Sequence, residues 1–112
     1  MNIIMSNIDM TDKKAVYKLT KSESVQMQKV ERGTSLPVDK WAYYEEENSK
    51  GELQNVLSFT SGNMKFSTIS KTFIRSFMEC VELMESDPFS IIITGGESKN
   101  GRGFVNCELE CD

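Results

Sequence analysis

The order of predicted elements in residues 53–112 constrains the fold more than any other feature of this chain. The pattern predicts two strands, one helix and then a closing hairpin. In that hairpin, residues 89–94 run into a glycine-rich turn at residues 95–103, and residues 104–109 run back. A single helix between a three-strand half and a final hairpin is the order of a small barrel, the OB-fold. We therefore predict a mainly β protein, a five-stranded OB-fold barrel with one α-helix between strands 3 and 4.

The predicted helix and hairpin both have clear inward faces. Apolar residues recur at three- and four-residue spacing from Phe73 to Met84, and Asp87 and Pro88 end the helix. A serine or threonine among residues 67–70 can cap its start. Strand alternation places one set of hairpin side chains in the core, namely Phe89, Ile91, Ile93, Val105, Cys107 and Leu109. Phe104 is expected to point outward.

The first half of the chain is predicted as an arm followed by strands. Residues 1–12 are interpreted as a flexible N-terminal arm, and residues 13–112 as the OB-fold domain. Apolar and aromatic runs predict strands at residues 15–19, 25–30, 38–46, 53–60 and 64–67. Residues 48–51 and 61–63 carry the turn signals between the last three of these strands.

The side-chain inventory argues against catalysis and metal binding. The chain contains no histidine, which is the commonest general base and the usual partner of a nucleophilic serine or cysteine. The chain has three cysteines, Cys80, Cys107 and Cys111. An odd number without the spacing of a disulfide framework indicates free thiols in a reducing compartment. Structural zinc normally takes four cysteine or histidine ligands. We therefore predict no enzymatic activity, no catalytic residue, no metal site and no cofactor.

Hydropathy predicts a location away from membranes. No apolar run approaches the roughly 20 residues that a membrane-spanning helix needs. The first residues also lack the basic and apolar regions of a signal peptide. The predicted location is therefore a cytoplasm, with no membrane partner.

Charge is segregated along the sequence. The formal net charge is −4, which by itself argues against binding to nucleic acid. Residues 13–32 nevertheless contain six bases and two acids, and residues 65–75 contain three bases and no acid. Acids cluster instead around residues 45–52, along residues 79–87 and at the end of the chain. Such segregation can present a basic groove on an acidic protein, and a solvated mixed surface is the alternative.

The glycine-rich turn superficially resembles a phosphate-binding loop. A P-loop requires a Lys-Ser or Lys-Thr pair after its last glycine and then a helix, whereas Arg102 and Gly103 lead into a strand. Binding of a nucleoside triphosphate is therefore not predicted, and the glycines indicate a flexible hairpin tip. In an OB-fold this loop often lines the ligand groove, so Lys99 and Arg102 are candidates to contact a phosphate backbone.

Aromatic residues near bases suggest a surface for unpaired nucleotides. Proteins that bind single strands without sequence preference combine stacking rings with a basic track. Three aromatic residues have a lysine or arginine nearby in the pattern: Tyr44 with Lys40, Phe66 with Lys65, and Phe104 with Arg102. Core packing is the alternative for any one of them, but three such pairs favour a binding face.

A family resemblance is carried mainly by the segment before the helix. Residues 61–72, SGNMKFSTISKT, resemble the strand-to-helix junction of the small single-stranded DNA-binding proteins of tailed phages, such as those of phi29-like and lactococcal phages. The shared pattern is an aromatic residue followed by Ser-x-Ile-Ser-Lys-Thr. The final hairpin resembles the family's last hairpin in layout, and residues 33–34 and 41–44 add a weaker match. The likeness spans roughly residues 25–110.

The resemblance implies an OB-fold protein that coats single-stranded DNA without reading its sequence. It implies a role in phage DNA replication or recombination, in the cytoplasm of the bacterial host and without a cofactor. By position it assigns base stacking to Tyr44 and Phe66. We expect further aromatic contacts from Trp41 and Phe104, and phosphate neutralisation from Lys40, Lys65, Lys71, Lys99 and Arg102.

The resemblance also bears on partners. Single-stranded DNA is the expected ligand, a second copy in a homodimer is expected, and replication or recombination proteins are further partners. The alternative function is a protein-binding small β-barrel, such as a phage inhibitor of a host factor.

Overall fold

The computed structural model describes residues 1–97 and 103–111 and consists mainly of strands. Its elements in chain order are β1 (Asn2–Ser6), α1 (Lys13–Thr20), β2 (Val25–Gln26), a 3-10 helix (Met27–Lys29), β3 (Ser35–Val38), β4 (Trp41–Glu47), β5 (Leu53–Ser61), β6 (Met64–Thr68), α2 (Lys71–Met84), β7 (Phe89–Glu97) and β8 (Gly103–Leu109). The predicted mainly β class is thereby confirmed.

The strands form two sheets that do not close into a barrel. The larger sheet has five strands in the order β1-β4-β5-β6-β2, and the smaller has three in the order β3-β7-β8. Neighbouring strands run antiparallel, except that β2 lies parallel to β6. Within the described residues β6 and β8 do not pair with each other, so the closed form of the predicted barrel is absent there.

One extended segment links the two sheets, because β3 leads into β4 through Asp39 and Lys40. The amide of Asp39 donates to the carbonyl of Thr60 (3.0 Å), and the amide of Thr60 donates to the carbonyl of Lys40 (2.8 Å). The Asp39 carboxylate accepts from the amide of Gly62 (3.0 Å), a residue with a φ of 60° in the β5–β6 turn. These bonds fix the bend that carries the chain from one sheet into the other.

The main core lies between the two sheets and α2. The Ser70 hydroxyl caps α2 by accepting from the amide of Phe73 (3.3 Å). The face of α2 that the sequence predicts to be apolar is buried, at Phe73, Ile74, Phe77, Cys80 and Val81. The Phe77 ring lies 5.3 Å from that of Phe59, 6.2 Å from that of Trp41 and 6.0 Å from that of Phe89. Phe77 therefore joins both sheets to the helix.

The final hairpin has the predicted inward and outward faces. Ile91, Ile93, Val105 and Cys107 are buried in the main core, whereas Phe104 is 45% exposed. The predicted phosphate contacts Lys99 and Arg102 lie outside the described residues.

The N-terminal predictions are wrong in two places. Residues 1–12 are not a loose arm throughout, because β1 pairs with the edge of β4. The strand predicted at residues 15–19 is instead part of α1, whose start is capped by the Asp12 carboxylate accepting from the amide of Ala15 (3.1 Å). The apolar residues of that short run fit a helical period as well as an extended one, and burial of Leu19 against the sheet favours the helix.

A second, smaller core lies under α1. It contains Leu19 from the helix with Ala42, Tyr44 and Val56 from β4 and β5. Because side chains alternate along a strand, this core is on the opposite face of the five-stranded sheet from Trp41 in the main core. Both faces of that sheet are therefore covered in this region.

Truncation of the central ring of α2 is expected to be far more costly than truncation of an exposed neighbour. Phe77→Ala should lower the free energy of unfolding by about 3–5 kcal/mol, because it removes a fully buried ring and leaves a cavity. Leu83→Ala changes a side chain on the same helix that is 73% exposed, and should stay within about 0.5 kcal/mol. Urea denaturation followed by circular dichroism measures both, and equal losses would contradict the central position of Phe77.

Candidate nucleic-acid interface

The three aromatic residues predicted on β4 and β6 do not form a stacking surface. Tyr44, Phe66 and Trp41 are 2%, 4% and 5% exposed, respectively, and belong to hydrophobic cores. Tyr44 and Phe66 also lie in different cores, on opposite faces of the five-stranded sheet. Their assignment as base-stacking residues is therefore wrong for this structure, and so is that of Trp41.

Each buried ring has a packing partner that accounts for its position. The Phe66 ring stacks on Phe59 with centroids 5.4 Å apart. The Tyr44 hydroxyl shares a hydrogen bond with the Ser58 hydroxyl (2.9 Å) and approaches the carbonyl of Thr20 in α1 (3.4 Å). Burial raises the pKa of the Tyr44 phenol. Tyr44 thus points out of the main core, as its strand position predicts, but α1 covers it.

The remaining predicted residues are divided among separate surfaces. Phe104 is exposed but lies on the three-stranded sheet, where its carbonyl accepts from the Arg32 guanidinium (3.3 Å). Lys71 lines a groove of about 750 Å³ beside the start of α2, together with Tyr43 and Arg75. Among the predicted lysines that the structure describes, Lys40 and Lys65 line one site and Lys71 lies apart from them.

That site is a cleft between α1, the bend at residues 39–40 and the turn between β5 and β6, and we call it the lysine cleft. Its volume is about 320 Å³, at the small end of the range for ligand sites. It is lined by Ala15, Lys18, Leu19, Asp39, Lys40, Thr60, Gly62, Asn63, Met64 and Lys65. Three lysines therefore face one carboxylate, and that carboxylate already accepts a backbone hydrogen bond.

Lys65 has a structural contact within this cleft. Its side chain is only 9% exposed, and its Nζ donates to the carbonyl of Ser22 (2.7 Å), just beyond the end of α1. Burial lowers the pKa of this ammonium. This bond ties β6 to the segment that follows α1. Lys18 and Lys40 are the exposed cations of the cleft.

The exposed side of α1 is a basic surface with an aromatic residue in it. We define the α1 face as Lys13, Lys14, Tyr17 and Lys18, all of which are exposed. Tyr17 is 64% exposed. Tyr17 follows Lys13 by four residues, and Lys18 follows Lys14 by four. This spacing aligns the four side chains on one side of the helix.

The α1 face has no competing acid nearby in its helix. Asp12, next to it, is engaged as the N-cap. Across residues 1–97 and 103–111 the one ion pair within 4 Å joins Lys21 to Glu46, so the lysines of the α1 face have no such partner there. The basic run at residues 13–32 is the sequence signal for this face. A strand at residues 15–19, as predicted, would not place these four side chains on one side, whereas the helix does.

One group of acids lies away from α1, on and after α2. Glu79, Glu82, Glu85 and Asp87 are exposed along and just after the second half of α2. Because α1 and α2 pack against opposite faces of the five-stranded sheet, the basic and acidic helices are separated. This arrangement gives a protein with a net charge of −4 a locally positive surface.

The three cysteines are all free thiols in the structure. Cys80 and Cys107 are buried, and Cys111 is exposed. The part of the chain that the structure describes contains no cluster of three or more metal-ligating His, Cys, Asp or Glu side chains. No helix in these ranges has the length and apolar character required to cross a bilayer.

Comparisons with protein-family models, with curated proteins and with solved structures found no match.

The thiols should differ sharply in reactivity. Burial raises the pKa of Cys107 to about 12 and also raises that of Cys80, so both are expected to be almost entirely protonated at pH 8. An alkylating reagent should modify one thiol quickly in the folded protein, at Cys111, and three after denaturation. Mass spectrometry of the intact chain and its peptides measures this, and rapid native labelling of Cys107 would contradict its burial.

Removal of the Tyr44 hydroxyl should weaken the attachment of α1. Tyr44→Phe leaves the fully buried Ser58 hydroxyl without its partner and should lower the free energy of unfolding by about 1–2 kcal/mol. Because burial raises the pKa of Tyr44, this phenol ionises in the unfolded chain before it ionises in the native protein once the pH exceeds about 10. The ionisation stabilises the unfolded state, so the native protein loses stability as the pH rises further. Tyr44→Phe should lack that part of the alkaline loss. Denaturant titrations at pH 8 and pH 11 test both effects, and a parallel pH dependence in both proteins would count against the buried phenol.

Proposed function

We propose that the protein binds single-stranded DNA without reading its sequence, through the α1 face and the lysine cleft. The observation that carries this proposal is the exposed ring of Tyr17 among three lysines that have no carboxylate within 4 Å in the described ranges. A flat ring can stack on any base, which contributes about 1–3 kcal/mol per base. Lysine side chains neutralise phosphates and release counterions.

The lysine cleft extends this surface toward the sheet. Lys18 belongs to both the α1 face and the cleft, and Lys40 lies on the opposite wall of the cleft. A strand that stacks on Tyr17 therefore has further cations along its path. The acids of α2 are on the other face of the five-stranded sheet, where they do not oppose this contact.

The strand connectivity supports an OB-type assignment. The bent segment β3–β4 pairs with β7 through its first part and with β5 through its second. The remaining order is β5, β6, α2, β7 and β8, which is the chain order of an OB-fold with its helix before the last hairpin. We propose an OB-fold variant in which residues 25–29 lie between β6 and β8, since β2 pairs with β6 and the 3-10 helix contacts both strands.

The proposed biological role is the coating of single strands during phage DNA replication or recombination in the cytoplasm of a bacterial host. Its support is the resemblance of residues 61–72 and the basic α1 face. This role needs no sequence readout, because phosphate contacts and stacking act on every strand. It also needs no cofactor.

A protein-binding role is the second candidate. Leu53 and Ile69 are large apolar side chains that are 64% and 59% exposed, and both line the groove of about 750 Å³ beside α2. Exposed apolar side chains that share a groove are typical of protein contacts. A mobility-shift assay with a labelled 30-mer separates the two candidates, because absence of a shift at low salt and micromolar protein favours the protein-binding role.

The lysines of the α1 face should account for the salt dependence of binding. Replacement of Lys13, Lys14 and Lys18 by alanine should weaken binding to oligo-dT and reduce the slope of log K against log salt by about 2, at about 0.7 per phosphate contact. Tyr17→Ala should weaken binding by about tenfold with little change in the salt slope, since stacking is not an ionic contact. Fluorescence anisotropy at several salt concentrations measures both.

A matched triple variant controls for net charge. Lys29, Lys50 and Lys71 are exposed lysines outside the α1 face, and their replacement by alanine changes the net charge equally. This control should retain nearly the wild-type affinity and slope. Equal weakening by the two triple variants would remove the assignment of binding to the α1 face.

A further inference from the structure

A groove with an apolar floor lies on the other side of the bend at residues 39–40, between that bend, the end of β1 and the end of α2. Its volume is about 1040 Å³. Val38, Trp41 and Val81 form a buried floor, and Met78 and Phe89 are half-buried along it. We call it the α2 groove. An open groove of this size with an apolar floor is large enough to receive side chains from another surface.

The rim of the α2 groove is acidic. Glu82, Glu85 and Asp87 are exposed on the α2 side, and Asp39 is on the other side. Among the lining residues that the structure describes, Lys40 is the one base. Within the described ranges none of these four carboxylates has a base within 4 Å. The groove therefore presents negative charge around an apolar floor, which favours a cationic occupant that also carries an apolar group.

The α1 face has the complementary composition. It offers three lysines without a carboxylate within 4 Å in the described ranges, and one exposed aromatic ring, Tyr17. Leu19 and Thr20 anchor α1 on the face of the five-stranded sheet opposite the main core. The exposed side of α1 consequently points away from the groove of its own chain, so only a second copy can bring the two surfaces together.

We propose that the α2 groove of one copy receives the α1 face of a second copy, with Tyr17 on the apolar floor and lysines opposite Glu82, Glu85 and Asp87. Because the α1 face and the α2 groove are on opposite faces of the five-stranded sheet, the association is head-to-tail, and it adds copies in a ring or an open chain instead of a two-fold dimer. A contact made by one short helix is smaller than a standard interface, so the association is weak and salt-sensitive. The inference does not depend on DNA binding, and because both contacts use the α1 face, one copy makes only one of them at a time.

Charge reversal tests this pairing directly. The groove variant carries Glu82→Lys and Glu85→Lys, and the helix variant carries Lys14→Glu and Lys18→Glu, all at exposed positions. Glu47→Lys with Glu52→Lys, and Lys29→Glu with Lys50→Glu, are matched controls at exposed positions elsewhere. Sedimentation velocity at low salt and increasing protein concentration measures association, without nucleic acid in the sample.

The wild type and both controls should associate increasingly with concentration. Each reversed variant alone should remain monomeric, and an equimolar mixture of the two should associate again because opposite charges then face each other. A monomeric wild type, association of either reversed variant at the wild-type level, or a mixture that stays monomeric would each overturn the proposal. Oligonucleotide binding is measured separately, so its failure would affect the proposed function and leave this test unchanged.

Discussion

The bend at Asp39 and Lys40 is the constraint on which the rest of the structure depends. It passes one extended segment from the three-stranded sheet into the five-stranded sheet, and both candidate binding surfaces adjoin it. The bend is held from two directions. Thr60 and Gly62 bond it to the β5–β6 turn, and the Asn7 side chain donates to the carbonyl of Asp39 (3.0 Å) and accepts from the amide of Trp41 (2.7 Å). Asp39 and Lys40 line both the lysine cleft and the α2 groove, so loss of the bend would change the shape of both sites.

Long periodic segments were predictable from the sequence because many residues support one period. The helix at α2, its buried face and the inward set of the last hairpin follow from such patterns, and the structure has them. The run at residues 15–19 is too short to separate a helical period from an extended one. Its helical state depends on the Asp12 cap and on burial of Leu19 against β4 and β5, which are distant in sequence.

Tyr44 shows why a correct strand side does not give a correct exposure. Alternation along β4 predicts that Tyr44 and Trp41 point to opposite faces of the sheet, and the structure has this arrangement. Exposure depends in addition on what covers that side, and the covering helix comes from a segment predicted as another strand. Lys40 and Lys65 can be recognised as bases from the sequence. That they line one cleft with Lys18 depends on the β5–β6 register and on the position of α1.

Trp41 gives the α2 groove a built-in optical reporter. It is the single indole of the chain, it is nearly inaccessible to solvent, and it forms part of the groove floor. Indole emission responds to the polarity of its surroundings. Occupancy of the groove and global melting of the protein therefore act on the same chromophore, and its spectrum can follow both events in a native chain that carries no attached dye.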